Sequence, residues 1–167
     1  IKMITVNSRE KLANDIWRAC DIMRRDNNCG GIMDYLEHLS WVLFLKFLDE
    51  QERVFEQEAA ITGKPYQCII DKEYRWSEWV PKAIGAKIVW ITEDQRTASE
   101  WDGNALTRFV RGDLLPYLSR LSGTPQREVI AGIFGSDRNI VVCASPYNLK
   151  DVLEIIDNID FLNTDDM

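Results

Sequence analysis

Histidine is almost missing from this sequence. His38 is the only one in 167 residues, so a metal site built on a pair of His ligands is excluded. The four cysteines, Cys20, Cys29, Cys68 and Cys143, stand far apart with no CxxC pair. That spacing argues against a zinc ribbon, and the expectation is no metal and reduced, mostly buried thiols. Phosphate-binding frames are absent too. Gly63-Lys64 lacks the rest of a GxxxxGK[ST] loop, and Gly132-Ile133-Phe134-Gly135 has neither the spacing nor the preceding strand of a dinucleotide fingerprint. No apolar run reaches the ~20 residues that span a bilayer. Residues 1–12 lack the apolar core of a signal peptide, so the reading is a cytoplasmic chain without a membrane partner.

Cationic charge is scarce as well. Lys and Arg total 20 against 27 acidic residues, a net −7, which argues against strong non-specific nucleic-acid affinity for the chain alone. The balance is uneven. Residues 148–167 carry one Lys against six acids, a local −5, whereas residues 105–138 carry five Arg against three acids, a local +2. No nucleophile–base pair forms around His38 in the sequence, and the expectation is a satisfied, half-buried histidine and no catalytic residue. The acids Asp49, Glu50 and Glu52 read as a solvated helix face.

With 46% hydrophobic and 28% charged residues, the composition is that of a globular domain. Its organising stretch is Gly31 to Glu58. Leu39, Trp41, Val42, Leu43, Phe44, Leu45, Phe47 and Leu48 are apolar nearly all round a helix, which predicts a central helix buried on several sides. Before it, Leu12, Ile16, Ala19, Cys20 and Met23 form a helical stripe beside Trp17, itself expected in the core. Asn7 or Ser8 is the expected N-cap, with residues 1–8 extended, and Gly30-Gly31 is expected to turn the chain through positive φ. After the central helix, Trp76 and Trp79 read as core bulk. Asn104 is expected to cap a helix burying Leu106, Phe109 and Val110. Gly112 and Pro116 predict a break. Thr124 and Pro125 start a helix burying Val129, Ile130 and Ile133, and Asn148 is expected to cap the stripe Leu149, Val152, Leu153, Ile156 and Ile159. The predicted fold is mainly α, a single helical bundle over residues 1–167. Room remains for a short two-stranded element, because AKIVWIT (86–92) and NIVVCA (139–144) read as strand or as helix.

One set of residues resembles a known family. LANDIWRACDIMRR (12–25) followed by YLEHLSWVLFLKFLDE (35–50) resembles the N-terminal helical domain of the modification (DNA methyltransferase) subunit of type I restriction–modification systems. Ile16-Trp17, Asp21-Ile22-Met23-Arg24, Tyr35 and Phe44-Leu45-Lys46 stand where that pattern has them, and Trp76-Ser77 fits it as well. Phe47 departs from it, where a basic residue often follows. The resemblance implies an S-adenosylmethionine-dependent adenine-N6 methyltransferase subunit. Its implied partners are a second modification subunit, a specificity subunit, a restriction subunit and double-stranded DNA. Family members carry a Gly-rich cofactor loop and an Asn-Pro-Pro-aromatic motif that holds a flipped adenine. Neither is present here, since Ser145-Pro146-Tyr147 lacks the Asn and the second Pro. The resemblance therefore implies an assembly and DNA-clamping domain with no cofactor of its own, its catalytic domain lying C-terminal to it. The DNA and partner contacts it suggests are Arg18, Arg24, Arg25, Arg108, Arg111, Arg120 and Arg127, a residue type suited to phosphate. The rival readings are an unrelated helical protein–protein interaction module and, with less to support it, a small stand-alone enzyme.

Overall fold

The computed structural model describes residues 2–85, 101–135 and 140–161, with side chains from Arg9 onward. Among these residues there is no β-strand, and the fold is mainly α as predicted. The AKIVWIT stretch lies outside the described residues, and residues 141–143 are irregular, with no strand partner among the described residues. The chain divides into two compact units, residues 1–58 with 141–167, and residues 59–140.

The first unit contains α1 (Lys2–Arg24), most of α2 (Ile32–Thr62) and the last helix, α7 (Pro146–Asp157). Residues 2–8 are helical, not extended, so neither Asn7 nor Ser8 begins the helix. The helix α1 packs along α7, burying Ala19, Cys20 and Met23 beside Val152, Leu153 and Ile156. Each large apolar side chain so buried contributes about 1.5–3 kcal/mol. The stripe predicted for α7 is buried throughout, including Ile159. Trp17, by contrast, is 64% exposed. It lies just outside the buried face of α1, which is centred on Asp15, Ala19 and Met23.

The helix α2 is buried on one side, not all round. Leu39, Trp41, Val42 and Leu45 are inside, and Phe47 is exposed. The acids expected in solvent are inside as well: Asp49, Glu50 and Glu52 are buried, together with Lys46. Partners account for Lys46, Glu50 and Asp49. Lys46 Nζ lies 3.2 Å from Glu50 Oε1, and the other Glu50 oxygen accepts the Phe161 N–H at 3.1 Å. Asp49 pairs with Arg53 at 3.4 Å.

Between α1 and α2 the chain turns without left-handed glycines, since Gly30 and Gly31 are not among the positive-φ residues. Asp26 builds the corner instead. It is 4% exposed and accepts four hydrogen bonds, from Asn28 N (2.9 Å), Ala144 N (2.7 Å), Ser145 N (3.0 Å) and Asn148 Nδ2 (2.9 Å). Burial opposes its charge, but the Asn148 amide and the three backbone N–H groups outweigh that and hold its carboxyl below the usual range. Ser145, not Asn148, caps α7, its hydroxyl accepting the Asn148 N–H at 3.4 Å with Pro146 next in the chain.

Among the described residues the second unit holds a 3-10 turn (Lys72–Tyr74), α3 (Trp76–Ile84), α4 (Gly103–Arg108), a π-helical turn (Phe109–Leu114), α5 (Leu115–Ser119) and α6 (Pro125–Ile133). Trp76 and Trp79 are core, as predicted, with Leu106, Val110, Leu114 and Leu118. Asp102 caps α4 through the Ala105 N–H at 2.7 Å, where Asn104 was expected. The predicted break at Gly112 and Pro116 is a widened turn, in which Leu115 N–H reaches Val110 O. That i→i−5 pairing stands next to the residue that has no N–H to donate. Thr124 caps α6 as expected, but of its three apolar residues only Ile130 is buried. Val129 and Ile133 are 64% and 41% exposed.

Asp26→Asn puts an amide donor where N–H groups converge. It is expected to cost about 2–4 kcal/mol in urea unfolding followed by circular dichroism, with Asp21→Asn, on the surface, within about 0.5 kcal/mol of wild type. An Asp26→Asn variant as stable as wild type would remove the carboxylate from this role.

Candidate functional site

The seven arginines singled out from sequence fall into two groups by unit. Arg18, Arg24 and Arg25 belong to the first. Arg18 sits on a shallow groove of about 650 Å³ lined also by Lys11, Asp15, Ile22, Asp151, Glu154, Ile155 and Asn158, and it is bonded to Asp15 at 3.3 Å. Two cations against three carboxylates make this groove a poor phosphate site. Arg24 and Arg25 close α1 and are exposed. Arg24 pairs with the Asp21 carboxylate, and Arg25 Nε donates to Asp21 O at 3.0 Å. Exposed pairs of this kind are worth little, so both guanidiniums can exchange these contacts for a phosphate.

Arg108, Arg111, Arg120 and Arg127 belong to the second unit. Arg108 and Arg111 are exposed, on α4 and the π turn that follows it, and Arg120 is exposed at the end of α5. Arg127 differs. Its guanidinium donates to Ile69 O (2.9 Å), Ser122 O (3.4 Å) and Asp71 Oδ1 (3.3 Å), and its side chain is only 20% exposed. It clasps the segment leading to α3. Beside it Tyr117 Oη accepts the Asp71 N–H at 2.8 Å, and the ring stacks on Tyr74 with centroids 3.8 Å apart. Burial first, with the Asp71 carboxylate adding to it, pushes the Tyr117 phenol up to about 12.

A cluster that sequence reading missed lies in the first unit. Cys29, His38 and Cys143 are all buried, with one ligand atom from each within 4.8 Å of the others. The two sulfurs are 4.0 Å apart across 114 residues of sequence. His38, expected half-buried, is fully buried and stacks on Trp41 at 4.9 Å. Trp41 Nε1 in turn donates to Val141 O at 2.9 Å. Burial pushes the Cys29 thiol up to about 11 and the Cys143 thiol higher still. Both are therefore protonated near neutral pH and are not nucleophiles. As expected, all four cysteines are free thiols, with only Cys68 partly exposed. Nothing in the sequence pointed to the trio, because the spacing of its members matches no ligand motif.

Two outcomes follow for the second unit. Arg127→Ala is expected to lower stability by about 1.5–3 kcal/mol, whereas Arg24→Ala costs under about 0.5 kcal/mol; thermal unfolding of both variants checks the difference. Tyr117 titrates near 10 when unfolded and near 12 when folded. Its contribution to stability is thus complete below about pH 10 and is lost as pH rises through 12. Unfolding free energies at pH 9 and pH 11 should fall more steeply for wild type than for Tyr117→Phe, and equal slopes would contradict the assignment.

Comparison with known proteins identifies the family. The family model described as the HsdM N-terminal domain matches residues 12–156. The chain is 32% identical over 145 residues to a type I restriction enzyme EcoEI methylase subunit of Escherichia coli, covering 84% of this chain and 25% of that protein. A solved chain described under complex assembly and conformational transition of the type I R-M system is 51% identical. Its TM-score is 0.73, over 92% of this chain and 27% of that one. A modification subunit assigned to a type I restriction enzyme of Vibrio vulnificus YJ016 is 32% identical with a TM-score of 0.68, over 91% of this chain and 31% of that one. The chain spans about a quarter of the length of the curated relative it matches. Matched by the family model over most of its length, and by modification subunits in both sequence and structure, this chain belongs to the HsdM N-terminal domain family of type I restriction–modification systems.

Proposed function

We propose that this chain is the assembly and DNA-clamping front of a type I modification subunit and is not catalytic by itself. The observation that carries the reading is the family match over residues 12–156, within relatives about four times as long. The side chains suit the role. Arg24 and Arg25 end α1 in exposed, weakly held positions, and Arg108, Arg111 and Arg120 are exposed on the second unit. Trp17, Met33 and Tyr147 are 64%, 77% and 72% exposed, and aromatic and Met side chains of this kind are enriched where proteins meet. The thiols of Cys29 and Cys143 and the His38 imidazole are enclosed in the core.

In this proposal the whole subunit is a cytoplasmic S-adenosylmethionine-dependent adenine-N6 methyltransferase. It works with a second modification subunit, a specificity subunit, a restriction subunit and double-stranded DNA. The catalytic domain and its cofactor lie C-terminal to the residues described here. The arginines hold phosphate and so position the complex without reading sequence, which is left to the specificity subunit. Arg127 is given a structural part in this scheme, because its donors are engaged within the second unit.

At net −7 the chain alone is expected to bind duplex DNA weakly. Arg24→Ala with Arg25→Ala should lower DNA retention by the assembled modification–specificity complex and flatten its salt dependence by about one to two phosphate contacts. Fluorescence anisotropy over a salt series measures both. Unchanged retention and slope would leave these arginines as surface ion-pair residues.

A further inference from the structure

We propose that Cys29, His38 and Cys143 form a structural binding site for a thiophilic divalent cation of the zinc type. Their ligand atoms lie within 4.8 Å of one another. In a tetrahedral zinc site with Zn–S bonds near 2.3 Å, two thiolates stand about 3.8 Å apart and a thiolate and an imidazole nitrogen about 3.6 Å apart. The Cys29–Cys143 separation of 4.0 Å is therefore within a few tenths of an ångström of the bound value, and the 4.8 Å limit on the trio leaves the imidazole at most about 1.2 Å to close.

The chemistry of the donor set selects the ion. Two sulfurs and one imidazole are a soft-to-borderline combination that favours zinc over magnesium or calcium, which take oxygen ligands. On binding, each thiol gives up its proton and forms a metal–sulfur bond, and two thiolates cancel the charge of a dication. The resulting group is neutral, which suits a position where Cys29 and His38 are fully buried and Cys143 is 4% exposed. Asp26 is adjacent but is not a fourth ligand, because each of its oxygens already accepts two hydrogen bonds. Three protein donors leave one position for a water. Burial denies access to a substrate and makes the site a clip: it adds metal bonds to the hydrogen bonds that tie the α1–α2 turn, α2 and the 141–145 segment together.

The test titrates zinc into the reduced, chelator-treated 167-residue chain. It repeats the titration with cobalt(II), whose thiolate charge-transfer and tetrahedral ligand-field bands report the donor set. The expected result is one ion per chain, a higher unfolding temperature, and a cobalt spectrum of two thiolates. Cys29→Ala and Cys143→Ala should each weaken zinc by more than the roughly 10–100-fold that loss of an outer-shell partner costs, while Cys20→Ala binds as wild type. Circular dichroism confirms that each variant is folded. The proposal is overturned if folded, reduced wild type takes up no stoichiometric zinc, or if uptake survives both Cys29→Ala and Cys143→Ala. It also fails if Cys29 and Cys143 oxidise to a disulfide that excess zinc does not prevent.

Discussion

The first unit depends on carboxylates that reach across the chain to hold backbone N–H groups. Residues 141–145 are irregular, have no strand beside them among the described residues, and lead into a helix whose first donors also lack intrahelical partners. Asp26 takes the N–H groups of Ala144 and Ser145, Glu37 takes that of Val141 at 3.0 Å, and beyond the helix Glu50 takes that of Phe161. Two side-chain donors run the other way, Trp41 to Val141 O and Asn28 to Val142 O. The last helix is thus fixed at both ends by residues from the first third of the chain, and the apolar face it presents to α1 is fixed with it. An apolar stripe sets which face is buried; these charge-assisted bonds set where along its axis the helix stops.

That arrangement explains why charge is found inside α2. A carboxylate that must meet a buried N–H has to be buried itself, and its charge then needs further partners. Glu50 meets this with Lys46 one turn earlier on the same helix. Asp26 meets it with four hydrogen bonds and no cation, which is sufficient to hold its carboxyl below the usual range in spite of burial. The second unit solves a similar problem in the opposite sense, with one guanidinium satisfying two carbonyls and a carboxylate around Arg127.

These same contacts mark the limit of what could be read from sequence. Periodicity located the last helix and its whole buried stripe, and composition located Trp76 and Trp79 in the core. Thr124-Pro125 announced a helix start by a local rule, and the family resemblance rested on residues that the family match then covered. Where the reading failed, the deciding partner was distant. Glu50 looks like part of a solvated face until Phe161 arrives 111 residues later. Arg127 looks like its neighbours Arg111 and Arg120 until Ile69 and Asp71 arrive from far along the chain. Trp17 was misplaced by the rule that large aromatics go inside, which predicts composition of a core and not the facing of one residue. Cys29 and Cys143 were set aside as scattered thiols and His38 as a half-buried residue, because ligand motifs describe short loops and this cluster is made by tertiary structure alone.

The distribution of polarity bears on the proposed role. A free-standing domain of this size would ordinarily place Lys46, Asp49, Glu50 and Glu52 outside and Trp17 and Met33 inside. Here the charged set is buried, with Lys46–Glu50 and Asp49–Arg53 paired along the helix, whereas the apolar side chains are left on the surface. Such pairing makes the core specific, since a slipped helix would leave a charge unsatisfied. Surface Trp and Met cost little in an isolated chain if scattered, but they give a partner subunit apolar area to cover. In the proposed role, holding other subunits around DNA would require a fixed frame carrying replaceable contacts. The buried carboxylates and their partners would supply the frame, and weakly held arginines with exposed aromatics would supply the contacts. Exchanging the two sets would yield a more ordinary core and a surface with less to offer an assembly.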